Sequence, residues 1–214
     1  MRGVAEVLAR TERVWLDERS WVDVTRGWLP DADEVFAAVH DNVRWYQGRI
    51  FRYERYVDEP RLSGSANLAD LHPALVEAHR SIRRTYGIDF PKPALVLYRD
   101  GRDSVAFHCD RELRWLEDTV IGVLTLGATR PWLLRPRSRR YDHDAPNGGA
   151  THDLYPASGD LLVMGGRCQA DWHHAVPKVA APVGPRISLQ WRWTSKRGRP
   201  ESGPNYRAPR TYSR

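Results

Sequence analysis

The stretch ALVLYRDGRDSVAFH, residues 94–108, contains two short apolar segments separated by a polar turn with a glycine. Similar segments follow as far as residue 193: TVIGVLTL (119–126), PWLLR (131–135), DLLVM (160–164), HAVPKV (174–179) and RISLQWRW (186–193). Regular short strands broken by turn signals are typical of a β-sandwich, jelly roll or barrel. The chain from residue 93 onward therefore predicts a mainly β domain.

The first half of the chain adds helical signals. Residues 20–29 predict a strand, and residues 30–45 predict a helix that follows a proline. Residues 49–57, RIFRYERYV, alternate polar and aromatic side chains, which predicts one strand exposed on one face. Residues 68–87 have apolar positions at helical spacing and end at a glycine, which predicts a second helix. The expected fold class is α+β, mainly β, with N-terminal helices packed against the β core.

Length and composition favour a single domain. The chain has 214 residues, of which 41% are hydrophobic and 28% charged. No apolar run approaches the roughly 20 residues of a membrane span, and the charged N-terminus does not resemble a signal peptide, so we expect no membrane segment and a cytoplasmic monomer. The two cysteines, Cys109 and Cys168, are too few for a disulfide framework or a four-thiolate zinc site.

Positive charge is concentrated near the C-terminus. The formal net charge is +6, and residues 195–214 hold six basic residues and one acidic residue. A second basic run, RPWLLRPRSRR, covers residues 130–140. The terminal segment is either a solvated tail or a contact for phosphate groups, and the two runs together favour a polyanionic partner. We therefore divide the chain into a domain over 1–194 and a basic tail over 195–214.

His108 and Asp110 form a His-x-Asp pair in SVAFHCDRE. Residues i and i+2 of a strand share a face, so an imidazole and a carboxylate project together and could hold one metal ion. Such pairs also occur on ordinary surface strands. By itself this pair indicates no function.

The strand PRISLQWRWT, residues 185–194, has one polar and one apolar face. The apolar face carries Ile187, Leu189, Trp191 and Trp193. The polar face carries Arg186, Ser188, Gln190 and Arg192. An edge strand with arginines in water is one interpretation; the other is a barrel mouth where a guanidinium binds a carboxylate.

Combination of these motifs decides between the interpretations. His174, in DWHHAVPKV, lies 64 residues after Asp110 and 12 before Arg186. Two histidines and one carboxylate on one face of an octahedral iron are the ligand set of non-haem iron oxygenases, and three positions remain for cosubstrate and dioxygen. His173 is the rival ligand, but strand alternation sends it to the opposite face from His174.

These residues resemble the AlkB family of Fe(II)- and 2-oxoglutarate-dependent dioxygenases. The similarity covers residues 95–193 and rests on five segments. They are YRDGRDSVAFHCDRE, LTLGATRPWLLR, SGDLLVMGG, DWHHAVP and GPRISLQWR. The resemblance implies a double-stranded β-helix (jelly roll) core over 93–194, preceded by a variable N-terminal part over 1–92. It also implies Fe(II), 2-oxoglutarate and dioxygen as cofactors.

The resemblance implies roles for individual residues. His108, Asp110 and His174 correspond to the catalytic iron ligands, and Arg186 to the clamp on the distal carboxylate of 2-oxoglutarate. Other positions correspond to residues around the cosubstrate and the target base: Tyr98, Ser188 and Arg192 for the cosubstrate, and Glu112 for the base. Val96 and Ser188 stand where the family usually has asparagine, and SGSANLAD (63–70) replaces an aromatic segment of the nucleotide lid.

The implied activity is oxidative demethylation of N-alkylated bases such as N1-methyladenine and N3-methylcytosine in DNA or RNA. The products are formaldehyde, succinate and CO2, and the implied process is repair of alkylated nucleic acid. Such a base must leave the stack, and Phe51 and Tyr53 in the aromatic run are candidate stacking residues, although core packing is the alternative for each. Two other functions stay open: an oxygenase acting on a protein or small molecule, and a nucleic-acid-binding jelly roll without turnover.

Overall fold

The computed structural model describes residues 10–52, 54–110, 113–137 and 151–200. The strands are β1 (Thr11–Trp15), β2 (Ser20–Thr25), β3 (Trp45–Arg52), β4 (Arg55–Gly64), β5 (Ala94–Tyr98), β6 (Val105–His108), β7 (Thr119–Gly127), β8 (Leu133–Pro136), β9 (His152–Asp153), β10 (Leu161–Gly166), β11 (Trp172–Val176) and β12 (Arg186–Thr194). The helices are α1 (Ala32–Asn42), α2 (Leu68–Leu71), α3 (Pro73–Tyr86) and α4 (Cys168–Asp171).

Two antiparallel sheets form the β core. The larger has the strand order β1-β2-β10-β7-β12-β5-β4-β3, and the smaller has the order β6-β11-β8-β9. Strands far apart in sequence are neighbours in both sheets, as the Greek-key connections of a jelly roll require. The mainly β fold class with added helices, predicted from the sequence, is confirmed.

Apolar side chains pack on both faces of the larger sheet. On the outer face, α1 and α3 bury Val35, Leu75 and Ile82 against the sheet. On the inner face, a second cluster fills the space between the sheets and includes Val123 and Leu162. This arrangement explains why polar and apolar side chains alternate along β12. Ile187, Leu189 and Trp191 belong to the outer cluster. Arg186 and Ser188, on the opposite face of β12, are buried between the sheets.

We expect Leu189→Ala to lower the free energy of unfolding by about 2–5 kcal/mol, because its side chain is fully buried and the truncation leaves a cavity. Urea unfolding followed by circular dichroism measures the loss. Glu12→Ala, at an exposed position of the edge strand β1, is the control and should change stability by less than about 0.5 kcal/mol. A similarly small change for Leu189→Ala would contradict the packing described.

Two N-terminal predictions are wrong in detail. Residues 49–57 do not form one strand: β3 and β4 form a hairpin whose turn includes Glu54, with φ 62°. The alternating pattern continues through this short turn and does not mark it. The helix predicted over 68–87 is interrupted at His72, which is extended because Pro73 follows it. The glycine stop is correct, since Gly87 caps α3 in the left-handed conformation.

Other differences concern single segments. β11 ends at Val176 because Pro177 lacks the N–H that a continued ladder needs. Residues 63–70 are held within the fold: Ser63 pairs with β5, and Leu68 is buried in the outer cluster. The short elements β1, β9 and α4 were not predicted. Among the described residues, no helix is both long and apolar enough to cross a membrane.

The structure describes only part of each of the two basic runs. Arg130 is not part of an exposed basic surface, because it is buried and donates hydrogen bonds to the carbonyl oxygens of Asp100, Asp103 and Pro177. The first residue of the basic run over 130–140 is therefore not available to a polyanionic partner. Residues 138–140 and most of the basic tail, residues 201–214, lie outside the described residues, so the role of the tail stays a prediction.

Candidate metal and cosubstrate site

His108, Asp110 and His174 come together between the sheets although they are distant in sequence. His108 ends β6, and it pairs directly with His174 in β11. Nε2 of His108 lies 3.4 Å from Oδ1 of Asp110, and Nε2 of His174 lies 3.8 Å from the same oxygen. Ligand atoms that share an ion about 2.1 Å away are roughly 3–4 Å apart. One metal ion therefore fits this group of three.

Both imidazoles can offer a lone pair at Nε2. Nδ1 of His108 lies 2.9 Å from the carbonyl oxygen of Ala106, and because a carbonyl only accepts, Nδ1 carries the proton. Burial, together with the nearby His108, lowers the pKa of His174 to about 3, so its ring is neutral at neutral pH. Metal binding requires neutral imidazole. The ring of Trp132 stacks on His174 with centroids 5.7 Å apart and restricts its orientation.

Asp110 is a buried carboxylate held in its charged form. Burial alone raises its pKa, but the positive charge of Arg192 outweighs that effect and holds the pKa well below the usual value. Nε of Arg192 donates to Oδ2 at 2.7 Å. The other oxygen, Oδ1, faces the imidazoles. Arg192 thus neutralises the carboxylate from one side and leaves a ligand atom on the other.

Arg186 is a fully buried guanidinium on the same face of β12 as Arg192, the partner of Asp110. Its Nη2 donates to Oγ1 of Thr125 at 3.0 Å. Within the described part of the chain, its Nε and Nη1 have no hydrogen-bond partner. Burial lowers its pKa to about 10, so it remains charged at neutral pH. A buried cation with two unpaired donors is costly unless an anion binds, and a carboxylate accepts two parallel N–H groups. The residues present therefore fit 2-oxoglutarate.

Tyr98 lies next to Arg186. The two residues are paired across β5 and β12, and the guanidinium carbon of Arg186 is 5.5 Å from the centre of the tyrosine ring. Arg130 lies at the same distance from the ring. Burial raises the pKa of Tyr98, so the phenol is neutral and can donate a hydrogen bond. Ser188 is buried on the same face of β12, beside Val96 of β5.

The predicted substrate contacts are only partly described. Phe51 lies in β3 with 56% of its surface exposed, so the core-packing alternative is wrong for this residue. Tyr53 and Glu112 lie outside the described residues, and their roles stay predictions.

Among the residues that contact the site, Thr125 and Trp132 were not predicted from the sequence. The sequence signal for Thr125 was a polar residue between the apolar Leu124 and Leu126 of β7. Trp132 gave none, because its contact with His174 depends on how the strands pair.

A family model described as the 2OG-Fe(II) oxygenase superfamily matches residues 29–197. This chain belongs to that superfamily. The match includes all three members of the His-Asp-His group and Arg186. The superfamily uses Fe(II), 2-oxoglutarate and dioxygen, which agrees with the donor set and the unpaired guanidinium described above.

Among curated proteins, the chain is similar to alkB homologs. It is 32% identical over 183 residues to alpha-ketoglutarate-dependent dioxygenase alkB homolog 3 of Bos taurus, covering 77% of this chain and 62% of that protein. The Homo sapiens homolog 3 is 32% identical, with 73% of this chain and 53% of that protein covered. DNA oxidative demethylase ALKBH2 of Bos taurus is 23% identical, covering 76% of this chain and 64% of that protein. These similarities confirm the AlkB-family resemblance, although this superfamily member spans only about half to two thirds of its relatives' length.

A solved structure supports the fold. A prolyl hydroxylase from Trichoplax adhaerens, in complex with a peptide fragment of hypoxia inducible factor, aligns with a TM-score of 0.58 and 14% sequence identity. The alignment covers 82% of this chain and 84% of the hydroxylase. At this identity the similarity supports the jelly-roll fold alone.

Proposed function

We propose that this chain is a dioxygenase that oxidatively demethylates N-alkylated bases in DNA or RNA. The observation that carries the oxygenase assignment is the convergence of His108, Asp110 and His174, together with a buried Arg186 that has two unpaired donors among the described residues. Support for the substrate class comes from the alkB homologs, since relatives of this chain are named DNA oxidative demethylases. N-methylated adenine or cytosine is the proposed target.

Each residue of the site has its own proposed role. His108, Asp110 and His174 would hold Fe(II), and Arg186 would bind the distal carboxylate of 2-oxoglutarate, with Tyr98 alongside. When bound, these groups would supply, with dioxygen as the oxidant and 2-oxoglutarate converted into succinate and CO2, the oxidation of an N-methyl group to N-hydroxymethyl, which is lost as formaldehyde. Arg192 keeps Asp110 charged and oriented. The apolar cluster between the sheets excludes water from the buried charges.

The β3–β4 hairpin is the proposed nucleic-acid contact. Phe51 and Tyr56 pair across its strands, their rings meet edge to face at 5.3 Å, and both are about half exposed. The carbonyl of Pro60 in β4 accepts from the N–H of Ser104, just before β6. The hairpin therefore borders the segment that leads to His108. Exposed aromatic rings on this hairpin suit stacking with unpaired bases.

We expect Phe51→Ala to weaken binding of a methylated single-stranded oligonucleotide by roughly five- to a hundredfold, because one stacked base is worth about 1–3 kcal/mol. Fluorescence anisotropy with a labelled oligonucleotide measures the effect. The matched control is Trp15→Ala, since Trp15 is equally exposed but lies in β1 at the opposite edge of the large sheet. Equal effects of the two substitutions would contradict a specific role for the hairpin.

Activity is tested with oligonucleotides that contain N1-methyladenine or N3-methylcytosine, incubated with Fe(II) and 2-oxoglutarate. We expect each to lose the mass of its methyl modification, with formaldehyde formed in step with succinate. Omission of 2-oxoglutarate is the control. A different outcome is that succinate forms although no methylated oligonucleotide increases its rate and none loses mass. That result would contradict the substrate class and favour a protein or small-molecule target. No succinate under any condition would contradict the oxygenase assignment.

A further inference from the structure

Asp110 occupies a position that strand pairing does not fix. β6 ends at His108, so Asp110 lies two residues beyond the last pair of the β6–β11 ladder. That ladder is itself irregular, with a register shift between His174 and Val176. The two histidines are aligned by their direct pairing, whereas the carboxylate needs other contacts to stay beside them.

Two hydrogen bonds from other elements supply those contacts, in addition to the local bond from the N–H of Leu113 to the carbonyl oxygen of Asp110. The side chain of Asp110 accepts from Nε of Arg192 at 2.7 Å. Its backbone N–H donates to Oε1 of Gln169, also at 2.7 Å. Gln169 is fully buried. It lies in α4, which leads directly into β11, the strand that carries His174. Gln169 therefore ties the backbone of one member of the group to the element that positions another.

The amide of Gln169 has little else to hold it. Its Nε2 makes a long contact of 3.9 Å to Sδ of Met164, and thioether sulfur is a weak acceptor. The bond to Asp110 is its strong interaction among those observed. A buried glutamine is uncommon without a partner, and here the partner is the backbone of the central carboxylate.

We propose that Gln169 is a positioning residue for the metal site: it fixes the backbone of Asp110 so that Oδ1 faces His108 and His174. The inference rests on the proposed function, because it assumes that the three side chains hold a metal. Groups that orient metal ligands through hydrogen bonds typically change metal affinity by 10–100-fold when they are removed. Without Gln169, the N–H of Asp110 would be buried and unpaired, and Asp110 would lose its backbone bond to α4. The remaining bond, from the N–H of Leu113 to the carbonyl oxygen of Asp110, stays within the same loop.

The test measures Co(II) binding to the full metal-free chain by isothermal titration calorimetry, without 2-oxoglutarate. We expect Gln169→Leu, which keeps the volume but removes the acceptor, to bind Co(II) roughly 10–100-fold more weakly. Gln169→Glu keeps an acceptor oxygen whether or not it is protonated, and we expect it to restore most of the affinity. Gln47→Leu is the control, because the Gln47 side chain also bonds the backbone, donating from Nε2 to the carbonyl oxygens of Glu59 and Arg61, but lies in β3.

Folding is monitored by circular dichroism and thermal unfolding, and Gln169→Asn replaces the leucine variant if that variant does not fold. The shorter asparagine cannot reach Asp110 and should also weaken binding. A folded Gln169→Leu or Gln169→Asn chain that binds Co(II) as tightly as the unaltered chain would overturn the positioning role. Failure of the unaltered chain to bind Co(II) would instead overturn the proposed metal site, and the inference with it.

Discussion

Asp110→Ala is expected to abolish 2-oxoglutarate turnover. The carboxylate supplies Oδ1, the atom that lies 3.4 and 3.8 Å from the two imidazole Nε2 atoms, and alanine leaves two of the three ligands, on the neighbouring strands β6 and β11. Loss of a hydrogen-bonded neighbour of a metal ligand already costs 10–100-fold, so loss of the ligand itself should cost more than about a hundredfold. The measurement is succinate formation at saturating Fe(II).

The control separates metal binding from folding. Asp110→Ala also leaves Arg192 without its carboxylate partner, so thermal unfolding of the variant must be compared with that of the unaltered chain. Asp103→Ala is a matched variant, since Asp103 is an equally buried carboxylate that pairs with Arg99 away from the His-Asp-His group. A folded Asp110→Ala chain with turnover close to that of the unaltered chain would refute the assignment of this residue.

For Arg186→Met we expect a large rise in the 2-oxoglutarate concentration needed for half-maximal turnover. Truncation of one partner of a buried charge pair costs about 2–5 kcal/mol, so the rise should be at least roughly thirtyfold. Mn(II) binding in the absence of 2-oxoglutarate should be little changed, because Arg186 contributes no ligand atom to the His-Asp-His group. Titration of 2-oxoglutarate in the turnover assay measures the effect.

For the same variant we expect no loss of stability in the ligand-free chain. In the ligand-free chain, Nε and Nη1 of Arg186 are buried and, among the described residues, unpaired. Each such group costs about 1–3 kcal/mol, so methionine should leave the ligand-free chain as stable as before or more stable. Unaltered dependence on 2-oxoglutarate would exclude Arg186 as its anchor. A clear loss of ligand-free stability would contradict the description of Arg186 as an unsatisfied cation.

Much of the fold followed from local patterns. Alternation in β12 correctly separated Ile187, Leu189 and Trp191 from Arg186 and Ser188, because one face of that strand packs on helices and the other lies between the sheets. The interruption at His72 and the hairpin turn at Glu54 were missed. Both are decided by one or two residues, which change a hydrophobic pattern very little.

The sequence predicted those site residues whose chemistry follows from residue type and spacing. His108, Asp110, His174 and Arg186 were found in this way. Thr125, Trp132 and Gln169 were not, because their importance comes from contacts across the fold: a hydrogen bond to Arg186, a stacked ring on His174 and a backbone bond to Asp110. Arg130 shows the converse, since a residue in a basic run is buried and bonds backbone carbonyls. Spacing in the sequence does not predict such contacts.

The most direct test of the central claim is a crystal of the chain grown with Mn(II), in which anomalous diffraction locates the metal. We expect one strong anomalous peak between Nε2 of His108, Oδ1 of Asp110 and Nε2 of His174. A peak bound by other residues, or none at this position when Mn(II) is saturating, would contradict the claim.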